Sequence, residues 1–333
     1  MAVANPCRRG KCRGLSGSIF HRLPPTVHVP VLYQEVIRGL QPSAMGRYID
    51  GTVGLGGHAF GLLEAASPNG ELLGLDLDPA ALQLAAEKLK PFGARAHLAH
   101  SSYREMAAQA ARLGWEAVDG ILLDLGLSSL QLDTAERGFA FKQDGPLDMR
   151  FDPAIPFTAH DLVNKAPEEE LADLLFQYGE ERSARKVARA IVNARPIEST
   201  GQLAEVVGAT LGFRRGELHP ATRTFQALRI AVNNELETVA TSLPPAVELL
   251  KPGGRFAVIS FHSLEDRIVK TFFQRESRDC ICPPEQPVCT CGHRAQVKVV
   301  TRKPIVPSLG EAKQNPRSRS AKLRIVEKIE IGD

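Results

Sequence analysis

The sequence predicts an α/β fold, a parallel doubly wound sheet whose chain is interrupted by a helical insertion. Short apolar runs alternate with helical stretches from residue 48 to residue 125, and a glycine-rich loop follows the first run. Between residues 131 and 221 this alternation stops and only helical patterns occur. Alternating strands and helices are typical of a doubly wound sheet, with ligands bound beyond the carboxyl ends of the strands.

The first half of the chain supplies four of the predicted strands. Residues 46–51 form a run that ends in the glycine loop, and residues 71–76 form a second run that ends in an acidic residue. Residues 79–90 have apolar side chains at helical spacing, and residues 94–99 form a weak third strand. Residues 118–125 are apolar enough to be buried on both faces, as central parallel strands are.

Helical patterns follow at 168–178 and 182–195, and a third follows Thr200, which we place at its N-cap. Strand character returns at 254–260 and 322–328. The simplest account is a discontinuous domain of residues 27–130 and 223–333. Residues 131–222 form an insertion within it, of the kind used for substrate recognition.

Composition narrows the class of protein. The chain has 333 residues, of which 43% are hydrophobic and 24% charged, so a disordered chain, a collagen-like repeat and a disulfide miniprotein are excluded. The sequence has no apolar run of about 18 residues, so no transmembrane helix is expected. The net charge of +3 is nearly neutral, so any basic surface for nucleic acid must be local.

Residues 1–26 carry five basic residues and no acidic one. Such a segment fits a flexible tail on a cytoplasmic protein, and it also fits an organellar transit peptide, because transit peptides are rich in arginine and poor in acids. Both interpretations stay open from the sequence.

The glycine loop at residues 50–58 contains Gly54, Gly56 and Gly57, where the backbone must turn sharply and admit a ligand closely. Asp76 closes the next strand, 20 residues beyond Gly56, where a carboxylate can accept both hydroxyl protons of a ribose. The combination predicts a nucleotide or nucleoside ligand.

NAD and S-adenosylmethionine both satisfy this pattern. A dinucleotide also needs a third glycine, a pyrophosphate site and a second mononucleotide half, none of which is recognisable here. The pattern therefore favours S-adenosylmethionine and a methyltransferase, with a nicotinamide-dependent oxidoreductase as the alternative.

Asp124 ends the fourth strand directly after an apolar run, and a carboxylate there needs a partner. Ser128 and Ser129 follow it. They would face the ligand at the carboxyl edge of the sheet, or they would only cap a helix.

Several longer motifs resemble one family, the S-adenosylmethionine-dependent 16S ribosomal RNA cytosine-N4 methyltransferases of the MraW or RsmH family. The resemblance extends from about residue 28 to residue 324. The matching segments are His28-x-Pro30-Val31-Leu32, Gly56-Gly57-His58, Asp124-Leu125-Gly126-x-Ser128-Ser129-x-Gln131-Leu132-Asp133, Arg137-Gly138-Phe139, Gly145-Pro146-Leu147-Asp148-Met149-Arg150, Gly179-Glu180-Glu181-Arg182, His219 through Ile230, Ser260 through Arg267, and Asn315-Pro316-Arg317-x-Arg319-Ser320-Ala321-Lys322-Leu323-Arg324.

This resemblance implies a Rossmann-like methyltransferase sheet with a helical insertion domain. It implies methyl transfer from S-adenosylmethionine to the exocyclic N4 amine of a cytidine near the decoding centre, with 16S ribosomal RNA in the small ribosomal subunit as partner. Tyr103 stands where the family pattern has phenylalanine, and residues 1–26 have no counterpart in it. The cofactor-binding residues that the resemblance implies are Gly56, Gly57, His58, Asp76, Tyr103, Asp124 and Gln131.

Two residues are candidates for accepting the proton of the target amine, Asp148 and His262. Either could instead be structural, and for His262 the structural alternative is a buried histidine hydrogen-bonded to backbone. A protein of this fold that binds RNA in ribosome assembly without catalysis is a further alternative.

The C-terminal stretch 294–328 holds ten basic residues and two acids. This imbalance favours contact with RNA phosphates, and the residues that we expect to make it are Arg317, Arg319, Lys322 and Arg324.

Cys280, Cys282, Cys289, Cys291 and His293 lie within 14 residues of one another. Zinc prefers such ligands, but its usual ligand pairs are separated by two to four residues, and here one residue intervenes. A zinc site and free thiols in a reducing compartment both remain open.

Overall fold

The fold is taken from a computed structural model, which describes residues 30–213, 219–286 and 288–330. The N-terminal extension 1–26 and His28 of the first family motif lie outside the described residues.

A seven-stranded sheet forms the centre of the molecule, with strand order β3-β2-β1-β4-β5-β7-β6. The strands are β1 (Arg47–Asp50), β2 (Glu71–Asp76), β3 (Ala96–His100), β4 (Val118–Asp124), β5 (Leu250–Ser260), β6 (Val297–Val299) and β7 (Lys322–Lys328). The helices are α1 (Tyr33–Leu40), α2 (Gly57–Ala65), α3 (Pro79–Leu89), α4 (Met106–Arg112), α5 (Ser129–Asp133), α6 (Ala159–Lys165), α7 (Glu168–Gly179), α8 (Ala184–Asn193), α9 (Thr200–Leu211), α10 (Thr222–Asn233), α11 (Glu235–Leu249), α12 (Ser263–Glu276) and α13 (Leu309–Gln314).

The sheet is mixed, which corrects the expectation of a parallel one. Strands β1 to β5 are parallel, but β7 pairs antiparallel with both β5 and β6. Antiparallel neighbours do not require a crossover helix. The chain between β6 and β7 nevertheless contains α13 and the 3-10 helix Pro316–Ser320. The strand order reverses between β1 and β4, and at such a switch point a crevice opens beyond the carboxyl ends of the strands.

The apolar runs locate most strands correctly. The predictions for β2 and β7 match the observed bounds, and β5 begins four residues earlier than predicted. Strand β3 was a weak prediction because it lies at an edge of the sheet and is only partly buried. Strand β6 was missed because three residues are too few to show an alternating pattern.

Helices cover both faces of the sheet. On one face α4, α11 and α12 contribute Met106, Val239 and Phe273 to a hydrophobic cluster. On the other face α1, α2 and α3 contribute Val36, Leu62 and others. Among the described residues, no helix combines the length and the apolar character that a membrane span requires.

The helices α6 to α10 bury a third hydrophobic cluster of their own, which includes Leu171, Val187 and Leu228. Within the described part of this region, β pairing is limited to a single bridge between Pro146 and Ser199. The N-cap of α9 is Ser199, whose hydroxyl accepts from the Gln202 N–H at 3.3 Å. Our placement of Thr200 at the N-cap was therefore wrong by one residue. Thr200 is the first helical residue, and its Oγ1 accepts from the Gly145 N–H at 3.1 Å.

A buried ion pair ties α12 to β7. Arg324 donates from Nε and Nη2 to the carboxylate of Asp266 at 2.7 and 3.2 Å, and both residues are 9% exposed. Lys322 Nζ lies 3.2 Å from the same carboxylate. Burial raises the pKa of Asp266, but Arg324 and Lys322 outweigh this effect and hold the pKa below its ordinary value.

This position argues against the predicted contact of Arg324 with RNA. The antiparallel register turns its side chain toward α12, where Asp266 engages the guanidinium away from solvent.

Removing Asp266 is expected to leave Arg324 buried without a counter-charge. Asp266→Ala should lower the free energy of unfolding by about 3–5 kcal/mol, the range for breaking a buried pair from one side. Urea unfolding followed by circular dichroism measures the change, with Glu248→Ala on exposed helix surface as control. Equal stability of the two variants would contradict the assignment.

Candidate functional site

A cavity of about 670 Å³ opens at the carboxyl edge of the sheet, beside the switch point between β1 and β4. It is lined by the ends of β1, β2 and β4, by the loops that follow them, and by part of the C-terminal 3-10 helix Pro316–Ser320. The lining includes Asp50, Gly57, His58, Asp76, Tyr103, Asp124, Ser128, Ser129, Gln131, Phe151, Arg229 and Arg317. Five of the seven residues that the family resemblance assigns to the cofactor thus line it with a side chain that can hydrogen-bond or stack. Gly57 lines it with its backbone.

The glycine loop after β1 is held against the end of β2. The Gly54 N–H donates to Asp76 Oδ2 at 2.8 Å, and the Asp78 N–H donates to Asp76 Oδ1 at 2.9 Å. Gly54 has φ 49°, in the left-handed region that favours glycine. Burial raises the pKa of Asp76, against the lowering effect of these bonds. A carboxylate oxygen can accept more than one hydrogen bond. Asp76 can therefore accept further hydrogen bonds from a ligand in the cavity.

The two glycines at the start of α2 have different roles. A Cβ on Gly57 would lie 2.4 Å from Pro30 Cγ, so a side chain there would displace the cavity wall. Gly56 lies behind the lining, has φ 74°, and packs against α3, where a Cβ would approach Ala85 Cα to 3.3 Å. The structure thus gives Gly56 a packing role at the start of the helix.

Two carboxylates stand at the ends of the neighbouring strands β1 and β4. Asp50 is 1% exposed, and burial raises its pKa to about 7 although the Thr52 N–H donates to it. Burial also raises the pKa of Asp124 well above its ordinary value, and the negative charges of Asp50 and Glu265 add to this effect.

The Asp124 side chain faces the cavity with an unused acceptor. Its Oδ1 is buried and has no hydrogen-bond partner among the described residues. Its Oδ2 lies 3.6 Å from His58 Nε2. An unsatisfied buried oxygen is costly, so this position suits a ligand that brings a donor or a positive charge.

Gln131 is fixed by a capping box at the start of α5. The Ser128 hydroxyl accepts from the Gln131 N–H at 3.2 Å, and Gln131 Oε1 accepts from the Ser128 N–H at 3.0 Å. Ser128 thus caps α5, and both Ser128 and Ser129 line the cavity. Gln131 Nε2 donates to Asp78 at 3.4 Å, and Arg137 pairs with that same carboxylate.

Tyr103 borders the cavity next to a buried polar cluster. Burial, with the charges of Glu235 and Glu265 adding to it, raises the pKa of the Tyr103 hydroxyl. In the cluster, Arg229 donates to both carboxylate oxygens of Glu235, at 2.7 and 2.9 Å. Arg229 also lines the cavity, so it is the member of the cluster that reaches the cavity wall.

His262 lies in this cluster and not in the cavity lining. It caps α12, where Nδ1 accepts from the Glu265 N–H at 3.4 Å and Nε2 lies 3.1 Å from Glu265 Oε1. These contacts correspond to the structural alternative, a buried histidine bonded to backbone.

Asp148 also lies outside the lining. Arg150 donates to both of its oxygens, from Nε at 2.9 Å and from Nη2 at 2.6 Å. Although partial burial opposes them, the Arg150 side chain and backbone N–H hold the pKa of Asp148 below its ordinary value. A carboxylate engaged in this way is a poor proton acceptor. Phe151, which does line the cavity, is held by Asn233, whose Oδ1 accepts from the Phe151 N–H at 2.7 Å.

The four basic residues that we expect to contact RNA phosphates differ in their surroundings. Arg317 lines the cavity and pairs with Asp133 at 2.5 Å, and Arg319 is exposed two residues further along the same 3-10 helix. Lys322 pairs with Asp266 and Arg324 is buried with it. Arg324 is therefore the one withdrawn from solvent, because the paired side chains of Arg317 and Lys322 are each 41% exposed and Arg319 is exposed as well.

Sequence reasoning missed Asp50 and Arg229 as lining residues. Asp50 ends the first strand as Asp124 ends the fourth, and this equivalence could have identified it. Arg229 lies within a family motif, but only the fold shows which part of the molecule it faces.

Residues 25–329 match the model of the MraW methylase family. Curated relatives named ribosomal RNA small subunit methyltransferase H include that of Heliobacterium modesticaldum, 53% identical over 91% of this chain and 98% of the relative. Those of Thermomicrobium roseum and Syntrophus aciditrophicus are each 52% identical over 91% of this chain, and over 94% and 98% of the respective relative.

The raised pKa of Asp50 predicts a pH dependence of stability. Folding raises this pKa from 3.8 to about 7, so the folded protein binds the proton more tightly than the unfolded chain. Below about pH 4 the Asp50 carboxyl is protonated in both the folded and the unfolded protein, so its burial does not lower the free energy of unfolding. Between about pH 4 and pH 7 this destabilising effect grows. Asp50→Asn should therefore gain stability relative to the parent protein across this interval, by a few kcal/mol at pH 7.

Urea unfolding of both proteins at a series of pH values measures the difference. If the free energies of unfolding of the parent protein and the Asp50→Asn variant differ by the same amount at every pH from 4 to 7, the Asp50 carboxyl is not buried without a balancing positive charge.

Proposed function

The chain belongs to the MraW methylase family, and we propose that it transfers a methyl group from S-adenosylmethionine to the N4 amine of a cytidine in 16S ribosomal RNA, near the decoding centre. The observation that carries this proposal is the cavity at the carboxyl edge, with the acceptors Asp76 and Asp124 inside and Arg317 at its mouth.

The residues present fit S-adenosylmethionine. Asp76 is suited to the two ribose hydroxyls, and Tyr103 offers a ring for the adenine. Asp124 Oδ1, which has no partner within the described part of the chain, and the neighbouring Asp50 form an acidic region that suits the positive charges of the cofactor. The cavity volume is in the range of small-molecule sites, and the Gly57 backbone lets a ligand approach closely. When bound, the cofactor supplies a methyl group activated by a sulfonium.

The protein's contribution to the reaction is mainly alignment. A cytosine amine is a weak nucleophile, since its lone pair is delocalised into the ring. Holding it in line with the methyl group can supply about 7–11 kcal/mol of the barrier reduction. In this proposal Asp76, Asp124 and Gln131 fix one reactant, and Phe151 and Phe261 wall off water from the other.

Asp148 and His262 act as positioning residues in this account. Asp148 holds the side chain of Arg150, the residue before Phe151, and His262 caps the start of α12 beside the cluster that borders Tyr103. Neither assignment requires proton transfer.

RNA binding is proposed for the cavity mouth and the helical insertion of residues 131–222. A cytosine amine is accessible only in an unpaired or flipped-out base, so contacts to backbone phosphates and stacking surfaces are needed around the cavity. Arg317 and Arg319 supply positive charge, while Phe176 and Phe213 of the insertion are 63% and 68% exposed. Exposed aromatic rings are suited to stacking on single-stranded bases. The expected partner is the small ribosomal subunit, and the expected location is the cytoplasm.

Methyl transfer is tested with labelled S-adenosylmethionine and small-subunit ribosomal RNA, supplied free and within the subunit. The expected result is one labelled N4-methylcytidine after nuclease digestion. Asp76→Ala should lose transfer by at least about ten-fold, since bonds to a charged group are worth about 1.5–3 kcal/mol. Glu71→Gln, at the opposite end of β2, is the matched control.

Label on another base would contradict the cytidine assignment. RNA binding with no transfer in either substrate form would favour the non-catalytic assembly protein.

Charge reversal at the cavity mouth is expected to weaken RNA binding. Arg317→Glu with Arg319→Glu should raise the Kd for RNA and reduce the slope of log K against log salt by about one unit per lost phosphate contact. Arg112→Glu, exposed at the end of α4, is the control for a change in net charge. Filter binding at several salt concentrations measures both quantities, and an unchanged slope in the double variant would refute contact with phosphates.

A further inference from the structure

A cluster of four cysteines lies between α12 and β6, outside the cavity. Cys280, Cys282, Cys289 and Cys291 place one sulfur each so that all four lie within 4.8 Å of one another. None forms a disulfide, and all but Cys282 are exposed. The proposed methyl transfer does not use this cluster.

The sulfur separations match those of a tetrahedral metal site. Cys289 and Cys291 Sγ are 3.5 Å apart, and Cys291 and Cys280 Sγ are 3.9 Å apart. Four sulfurs each about 2.3 Å from a zinc ion form a tetrahedron whose edges are about 3.8 Å. A disulfide would instead need about 2.05 Å between two of them.

We propose that these four cysteines bind one zinc ion as a structural tetrathiolate site. All four positions of a tetrahedral ion are then taken by protein, which is typical of structural zinc and leaves no place for a substrate. Cysteine sulfur favours zinc over magnesium or calcium, which prefer oxygen ligands.

The short spacing within each Cys-x-Cys pair does not prevent the four sulfurs from binding one metal ion. One residue between cysteines is too few for the common zinc knuckle. Here, however, the fold brings the sulfurs of the two Cys-x-Cys pairs within 4.8 Å of one another. The backbone also supports the sulfurs, because the Ile281 N–H donates to Cys291 Sγ at 3.5 Å. Such donors to the ligand atoms are a regular feature of metal sites.

His293 is not part of the cluster, which narrows the five candidate ligands of the sequence to four. Its Nε2 lies 3.2 Å from the Arg275 carbonyl oxygen and 3.8 Å from a Glu276 carboxylate oxygen, at the end of α12. These contacts hold His293 against the end of α12, so the four cysteines form the ligand set without it.

A metal would hold together a segment that has little core of its own. Ile281 and Val288 are 40% and 69% exposed, so apolar burial contributes little here. The segment is tied at its ends, where the Ala295 N–H donates to Asp279 and the Gln296 N–H donates to the Glu276 carbonyl. Zinc would close the loop between these ties and order it.

Metal content of the full chain, purified under reducing conditions, tests the site. Elemental analysis should find about one zinc per chain, and Cys280→Ser and Cys291→Ser should each lower that content at least several-fold. Cys7→Ser with Cys12→Ser, which removes the two remaining cysteines, should retain the zinc, and so should His293→Ala. Replacement by Co²⁺ should give the absorption bands of a tetrahedral tetrathiolate.

Binding of S-adenosylmethionine separates loss of metal from loss of fold. The Cys280→Ser and Cys291→Ser variants should keep cofactor affinity, because the cluster lies outside the cavity. Absence of zinc from protein that is folded, reduced and supplied with Zn²⁺ would overturn the proposal. Zinc retained by a variant that lacks all four cysteines would overturn it as well.

Discussion

The site depends on one constraint, the burial of carboxylates at the carboxyl edge of a sheet without enough cations to balance them. Asp50 and Asp124 end neighbouring strands at the switch point, and burial raises both pKa values. Asp124 keeps an oxygen with no partner among the described residues. Such an arrangement is unfavourable for the empty protein, and a cationic ligand that donates hydrogen bonds would relieve it.

The remaining elements of the site follow from the same edge. The left-handed Gly54 directs its N–H to Asp76, and the capping box of α5 holds Gln131 beside Asp78. The antiparallel β7 starts at this edge, just after the 3-10 helix that carries Arg317 and Arg319. Cofactor acceptors, a hydrophobic wall and basic residues therefore meet at one opening, although they come from distant parts of the sequence.

The sequence predicted what depends on local pattern. Strand β2 and its terminal Asp76 followed from an apolar run and the spacing to the glycine loop, and the structure has both. It did not predict partners that the fold brings from elsewhere. In the sequence, Arg324 cannot be distinguished from its basic neighbours, but in the fold it is paired with Asp266 of α12. Asp148 was a candidate proton acceptor, but in the fold Arg150 donates to both of its oxygens. The proximity of the sulfurs of the two Cys-x-Cys pairs likewise exists only in three dimensions.

A crystal structure with S-adenosylhomocysteine tests the central claim, that this cavity holds the cofactor, most directly. The account predicts the ribose hydroxyls within hydrogen-bond distance of Asp76, the adenine beside Tyr103, and a donor of the amino acid part near Asp124 Oδ1. A ligand bound outside the carboxyl edge, or one that leaves Asp76 and Asp124 without contact, would contradict it.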